Sequence, residues 1–230
     1  MLKKTKPIVV ILIFAVALLA LGGNVLAKEI IDSGDDSEKA VKPDILEEEA
    51  LIIDDPLFIT ILKSKLYCYD YRIVNIRTGE ESSSGYSARN FAVSCYYTSS
   101  PDMPSMRTLR DYPTNKMYRT HVNPGFYNYS TRQPMGRLVG FWSRMEDYSD
   151  WKAIDSGTEE LLGEMLQYID YRNDIGRVTR CYLKDGDVYA MLVVRYSDGS
   201  SANAVTYVSN ATGNPSSSYF APPQSFEDNH

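Results

Sequence analysis

Residues 101–145 concentrate side chains able to hold a charged ligand. They carry seven basic groups against two acids, Asp102 and Asp111, in a chain of 230 residues whose net charge is −6. Arg107, Arg110, Lys116 and Arg119 interleave there with Tyr112, Tyr118, Tyr127 and Tyr129. Cations beside aromatic faces can bind sugars, polyanions or peptides through charge and stacking. These eight residues form the expected ligand site. The plainer alternative is a solvated loop whose rings cover the edge of a domain.

Catalytic chemistry has less to work with. The only histidines are His121 and His230. A zinc centre needs several His, Cys or carboxylate ligands at regular spacing, and the sequence offers no such set. No metal or cofactor is therefore expected. Cys95 with His121 could serve as a nucleophile and its base, although neither has a local signature. Glu146, Asp147 and Asp150 lie near Trp142 and Trp151, and paired carboxylates beside aromatic rings can cleave a glycosidic bond. Exposed acids are the commoner explanation of such a run. Gly-rich phosphate loops, a nucleophile elbow and a calcium loop are all missing. The first reading is thus a non-catalytic binding or interaction domain. The second is a hydrolase using carboxylates around Glu146–Asp150 or a Cys95–His121 pair. The third is a structural component of an envelope complex.

The N-terminus assigns the compartment. Lys3, Lys4 and Lys6 precede an apolar run from Ile8 to Leu21, and Val25-Leu26-Ala27 follows. That is the layout of an export signal, residues 1–27, with cleavage expected after Ala27. Uncleaved, the same segment would be an anchor of about membrane-spanning length. In both cases the lysines stay inside and the remainder is expected to be secreted or extracytoplasmic. The lysine-rich, short signal has a bacterial look. The expected partner is accordingly a cell-envelope polymer or protein. Nucleic acid is disfavoured, since no recognition motif is present, and membrane contact is expected only through the N-terminal segment. Cys68, Cys95 and Cys181 are the cysteines. An odd count in an exported chain allows one disulfide. Cys68–Cys95 closes the shortest loop and is the expected pair, with burial as reduced thiols the alternative.

These groups need a scaffold. Residues 28–56 hold 11 acids and 3 lysines, and such like charge resists collapse, so they are expected as a disordered spacer. Residues 57–208 read as a single domain. Leu66–Arg77 and Asn90–Tyr97 alternate as strands, with Tyr67, Tyr69, Tyr71 and Ile73 on one face of the first. Residues 99–136 contain Pro101, Pro104, Pro113, Pro124 and Pro134 and read as a long irregular loop. Arg137–Arg144 reads as a strand. Ser156-Gly-Thr-Glu159 matches a helix capping box, and Leu161, Leu162, Met165, Leu166 and Ile169 make an apolar stripe. The pattern predicts a helix over 157–171. Three strands then follow through Asp185-Gly186 and Asp198-Gly199 turns. Residues 209–230 read as a flexible tail.

The expected fold class is therefore α+β, an antiparallel sheet of five or six strands with one main amphipathic helix packed on it. In topology alone, a helix followed by a three-stranded meander resembles the cystatin-like and nuclear-transport-factor-like architectures.

Overall fold

The computed structural model describes residues 50–228 except 102, 123–128, 141–142 and 144–145. The expected export signal, residues 28–49 of the acidic spacer, Tyr127 and Trp142 lie outside the described residues. Among those that are described, no helix is long and apolar enough to cross a membrane.

The fold is mostly β, and the α+β expectation is overturned. Two antiparallel meanders join into one twelve-stranded sheet. The first runs β1 (Leu66–Asn75), β2 (Glu81–Asn90), β3 (Val93–Ser100), β4 (Met103–Asp111), β5 (Lys116–Val122) and β6 (Tyr129–Pro134). The second runs β7 (Lys152–Leu161), β8 (Glu164–Arg172), β9 (Val178–Lys184), β10 (Asp187–Arg195) and β11 (Ala204–Thr212). β11 pairs antiparallel with β1 and fuses the two halves. β12 (Glu227–Asp228) lies parallel against β6 at one edge. A seven-residue helix, α1 (Leu57–Lys63), precedes β1.

The predicted helix over 157–171 is a hairpin, β7–β8. Leu162 (φ 50°) and Gly163 (φ 88°) make a two-residue turn with both central residues left-handed, the geometry that matches strand twist. The supposed helical stripe then divides by strand alternation. Leu161 and Leu166 are buried on one face, Ile169 is buried on the other, and Leu162 and Met165 face solvent. Local spacing fitted a helix; a neighbouring strand on each side of β8 decided otherwise.

The long irregular loop expected at 99–136 contains the end of β3 and all of β4, β5 and β6. Its prolines do not prevent this. Pro104 is the second residue of β4, Pro113 sits in the β4–β5 turn and Pro134 ends β6, positions where a missing N–H is tolerated. The strand expected at Arg137–Arg144 is instead a 3-10 turn over Gly136–Leu138, with residues 139, 140 and 143 helical. Residues 82–85 belong to β2. Gly85 is required there: a Cβ would lie 1.9 Å from the Tyr97 carbonyl oxygen, on which the Tyr71 hydroxyl donates at 2.9 Å.

Each face of the sheet is covered differently. On the helix face, Phe58, Ile59 and Leu62 of α1 pack on Tyr67, Tyr69, Tyr71 and Ile73. Tyr148 and Trp151, from the β6–β7 connection, join the same cluster, with Trp151 stacked on Tyr171 at 5.7 Å between centroids. Burying a tyrosine needs a partner for its hydroxyl; that of Tyr171 donates to Asp55 at 3.0 Å. On the opposite face, the residues after β11 lie over the first meander. Tyr219, Phe220 and Phe226 pack against the row Cys68, Ala88, Cys95, Leu109 and Tyr118. This is the tail face, and the segment expected as a flexible tail supplies its cover.

Candidate functional site

Because side chains alternate along a strand, each strand of the first meander sends every second residue to the helix face. The registers align these residues into rows. Tyr129, His121, Met106 and Thr98 form one row across β6 to β3. Thr131, Arg119, Thr108 and Tyr96 form the next, and Gln133, Met117, Arg110 and Ser94 the third, which continues to Arg89 of β2. Three arginines from β2, β4 and β5 therefore share one polar face.

Two of the three are tied to the β6–β7 connection. Glu146 accepts from the Arg110 guanidinium on one carboxylate oxygen and from the Tyr112 hydroxyl on the other. Arg89 donates to the Glu146 backbone carbonyl. The Arg110 and Arg89 side chains are buried with these partners. Tyr112 also lies under the Arg89 guanidinium, 5.6 Å from ring to charge. Burial, and then the Glu146 carboxylate, push the Tyr112 hydroxyl pKa upward, so it stays a donor.

Arg119 is the exception. It is half-buried, and its Nε, like that of Arg110, is out of reach of water without an acceptor among the described residues, but no carboxylate is among the causes that act on its charge. Burial, followed by repulsion from the Arg110 guanidinium, presses its pKa down from the usual arginine value. Residues 112–145 contain no aspartate or glutamate at all. A cation held there without a matching carboxylate costs stability, and an anion arriving from outside would offset that cost.

The eight residues expected to form one ligand site divide between the two faces. Arg110, Tyr112, Arg119 and Tyr129 belong to the helix face. Arg107, Lys116 and Tyr118 fall on the tail face, by the period of two. Arg107 donates there to the carbonyls of Tyr219 and Ala221, at 2.7 and 2.9 Å. Tyr118 packs edge-on against Phe226 at 5.3 Å. Arg107 and Tyr118 thus hold the tail, and Tyr127 lies outside the described residues. Arg89, Ser94 and Thr108 of the helix face had no site signal in the sequence: only Ser94 lay in an expected strand, whereas Arg89 preceded one and Thr108 fell in the expected loop.

Cys95 and His121 do not converge. Cys95 lies on the tail face beside Leu109, whereas His121 faces the other way and stacks on Tyr129 at 4.5 Å. Burial raises the pKa of the Cys95 thiol, which disfavours the thiolate. The acids that follow are engaged in structural contacts. Asp147 accepts from Lys65 at 2.7 Å and from Ser149, and Asp150 accepts the Asp174 amide at 2.6 Å. The nucleophile and its base therefore lie on opposite faces of the sheet, and the acids serve structural contacts.

Cys68, Cys95 and Cys181 are all free thiols. Cys68 and Cys95 share a face, but Ala88 of β2 pairs with both and separates them. Two strand spacings place their Cα atoms about 10 Å apart, beyond the span of a disulfide. Among the described residues, no group of three or more His, Cys, Asp or Glu gathers to hold a metal. Two shallow depressions lie on the second meander, lined in part by Asp155 and Arg195 in one and by Gly157 and Gln167 in the other. Neither contains the arginine rows.

No family model matches this chain, and no curated protein matches it. Among solved structures, PNGF-II is similar in two crystal forms, each at 10% identity over 71% of this chain, with TM-scores of 0.34 and 0.33. This chain covers only 30% and 31% of those chains. A DUF1329 family protein from Desulfovibrio piger is similar at 10% identity over 73% of this chain and 98% of its own, with a TM-score of 0.22. Likeness at this level carries no argument about activity or location.

Proposed function

We propose that this is an exported, non-catalytic binding domain that contacts an anionic envelope polymer or protein through the helix face of β4–β6. The observation that supports it most is Arg119, a half-buried cation beside Arg110, with no acceptor for its Nε among the described residues. The leader at residues 1–27 supplies the export half of the proposal. A ligand carboxylate or phosphate facing Arg119 would gain a charge-assisted hydrogen bond in a partly dry setting.

The test is binding of the full chain to fluorescent polyglutamate at low salt, for the wild type, Arg119→Ala and Lys116→Ala. Arg119→Ala should weaken binding about tenfold, equivalent to about 1.4 kcal/mol. Lys116→Ala, on the other face, should change it little. Equal affinity of all three, with unchanged circular dichroism, refutes the site. Export is tested by N-terminal sequencing of the protein from a secreting host, where a start at Lys28 is expected.

A further inference from the structure

We infer that the anion accepted at Arg119 belongs to an acidic sugar, whose ring stacks on Tyr129. This rests on the arginine reading above and names its ligand. Four observations converge on it. Tyr129 keeps 48% of its surface exposed, on the same face as Arg119. Its ring is already held, stacked on His121 with 11° between the planes, so little conformational freedom is lost when a ligand lies against it. Tyr129 pairs with His121 and Thr131 pairs with Arg119, which makes Tyr129 and Arg119 diagonal neighbours, about 7–8 Å apart between Cα atoms. That is a separation one sugar residue with an acidic substituent can bridge. Between them, the Thr131 side chain offers a hydroxyl on the same face, and Gln133 lies one step further along β6.

The residue types favour a sugar over a plain polyanion. A polyanion asks for repeated cations, yet the helix-face positions of β5 and β6 carry one arginine, with Met117, His121, Thr131, Gln133 and Tyr129. An aromatic ring beside hydroxyl and amide groups matches the apolar face and hydroxyl edge of a pyranose, and a single guanidinium matches a single acid per ring. A carboxylate, as in a uronic acid, and a phosphate ester on a sugar share this chemistry.

The experiment measures binding of the full chain to polygalacturonate, phosphomannan, neutral dextran and polyglutamate, at equal ionic strength. At least one of the two acidic glycans should bind about tenfold tighter than polyglutamate, and dextran should bind least. Comparing polygalacturonate with phosphomannan tells a carboxylate source from a phosphate source. Tyr129→Ala should remove the advantage of the glycan and leave polyglutamate unchanged, whereas Tyr129→Phe should retain it. Equal binding of glycan and polyglutamate, or an advantage that survives Tyr129→Ala, overturns the sugar assignment while leaving the arginine site standing. If Arg119→Ala leaves every polymer bound as before, or no polymer binds, the arginine reading falls and this inference with it.

Discussion

Glu146 spans from the β6–β7 connection to Arg110 on β4 and closes a buried pair, with the Tyr112 hydroxyl on its second oxygen. One carboxylate thus meets the charge of Arg110 on a face that also presents Arg119 and Arg89. The connection is fastened to the sheet where three arginines share one face.

Glu146→Ala should leave Arg110 buried without that carboxylate and beside Arg119. Breaking a buried ion pair from one side costs about 3–5 kcal/mol; Glu146 retains some solvent contact, so a loss of about 3 kcal/mol is expected. Urea unfolding, followed by tyrosine and tryptophan fluorescence, measures it. A change within about 0.5 kcal/mol, the usual range for an ordinary surface substitution, would show that the pair does not fasten the connection.

Leu162 holds a left-handed backbone (φ 50°) in the β7–β8 turn while 46% of it faces solvent. A bulky residue pays for that conformation with steric strain, which asparagine relieves. Leu162→Asn should raise stability by about 0.5–1 kcal/mol, read as a higher melting temperature. A lower one would mean that the leucine makes packing contacts outweighing the strain.

The Lys65–Asp147 pair makes part of the fastening depend on pH. Burial works against the charged form of Asp147, but hydrogen bonds from Lys65 and Ser149 overcome it and hold its pKa below the usual aspartate value. A lowered folded-state pKa means that the stabilisation is present above about pH 4, the unfolded value, and is lost as pH falls through the folded one. Lys65→Ala should cost roughly 0.5–1 kcal/mol at pH 7 and much less at pH 2.5. Equal cost at both pH values would exclude the linkage.

The three thiols are buried, and burial raises the pKa of each. Alkylation by iodoacetamide at pH 8 should be slow in the native protein and should reach all three sites in denaturant. Rapid native labelling of Cys95 would contradict its position under Tyr86 and the tail. Mass spectrometry under denaturing, non-reducing conditions should find no bridge between Cys68 and Cys95.

The strands β1, β3, β9 and β10 were legible because runs rich in Val, Ile, Tyr and Cys are bounded by turn residues such as Asp185-Gly186. β4 and β5 were not. Their prolines suggested a loop, and only the position of each proline, at a strand end or in a turn, shows that none interrupts a hydrogen-bond ladder. The β7–β8 segment misled for a different reason. Ser156 to Ile169 satisfies helix capping and helix spacing at once, and Gly163 was the one residue that pointed to a turn.

Residue types and short-range periodicity, which depend on neighbours in the chain, determined the basic and tyrosine-rich composition of 101–145, the acidity of 28–56, the lysine-flanked apolar run at the N-terminus and the Asp185-Gly186 turn. Which of the eight expected site residues can act together was decided by register. Shifting by one position along β5 carries a side chain from the Arg119 face to the tail face, so pairing between strands, a relation between distant segments, divided Arg119 and Tyr129 from Arg107 and Tyr118.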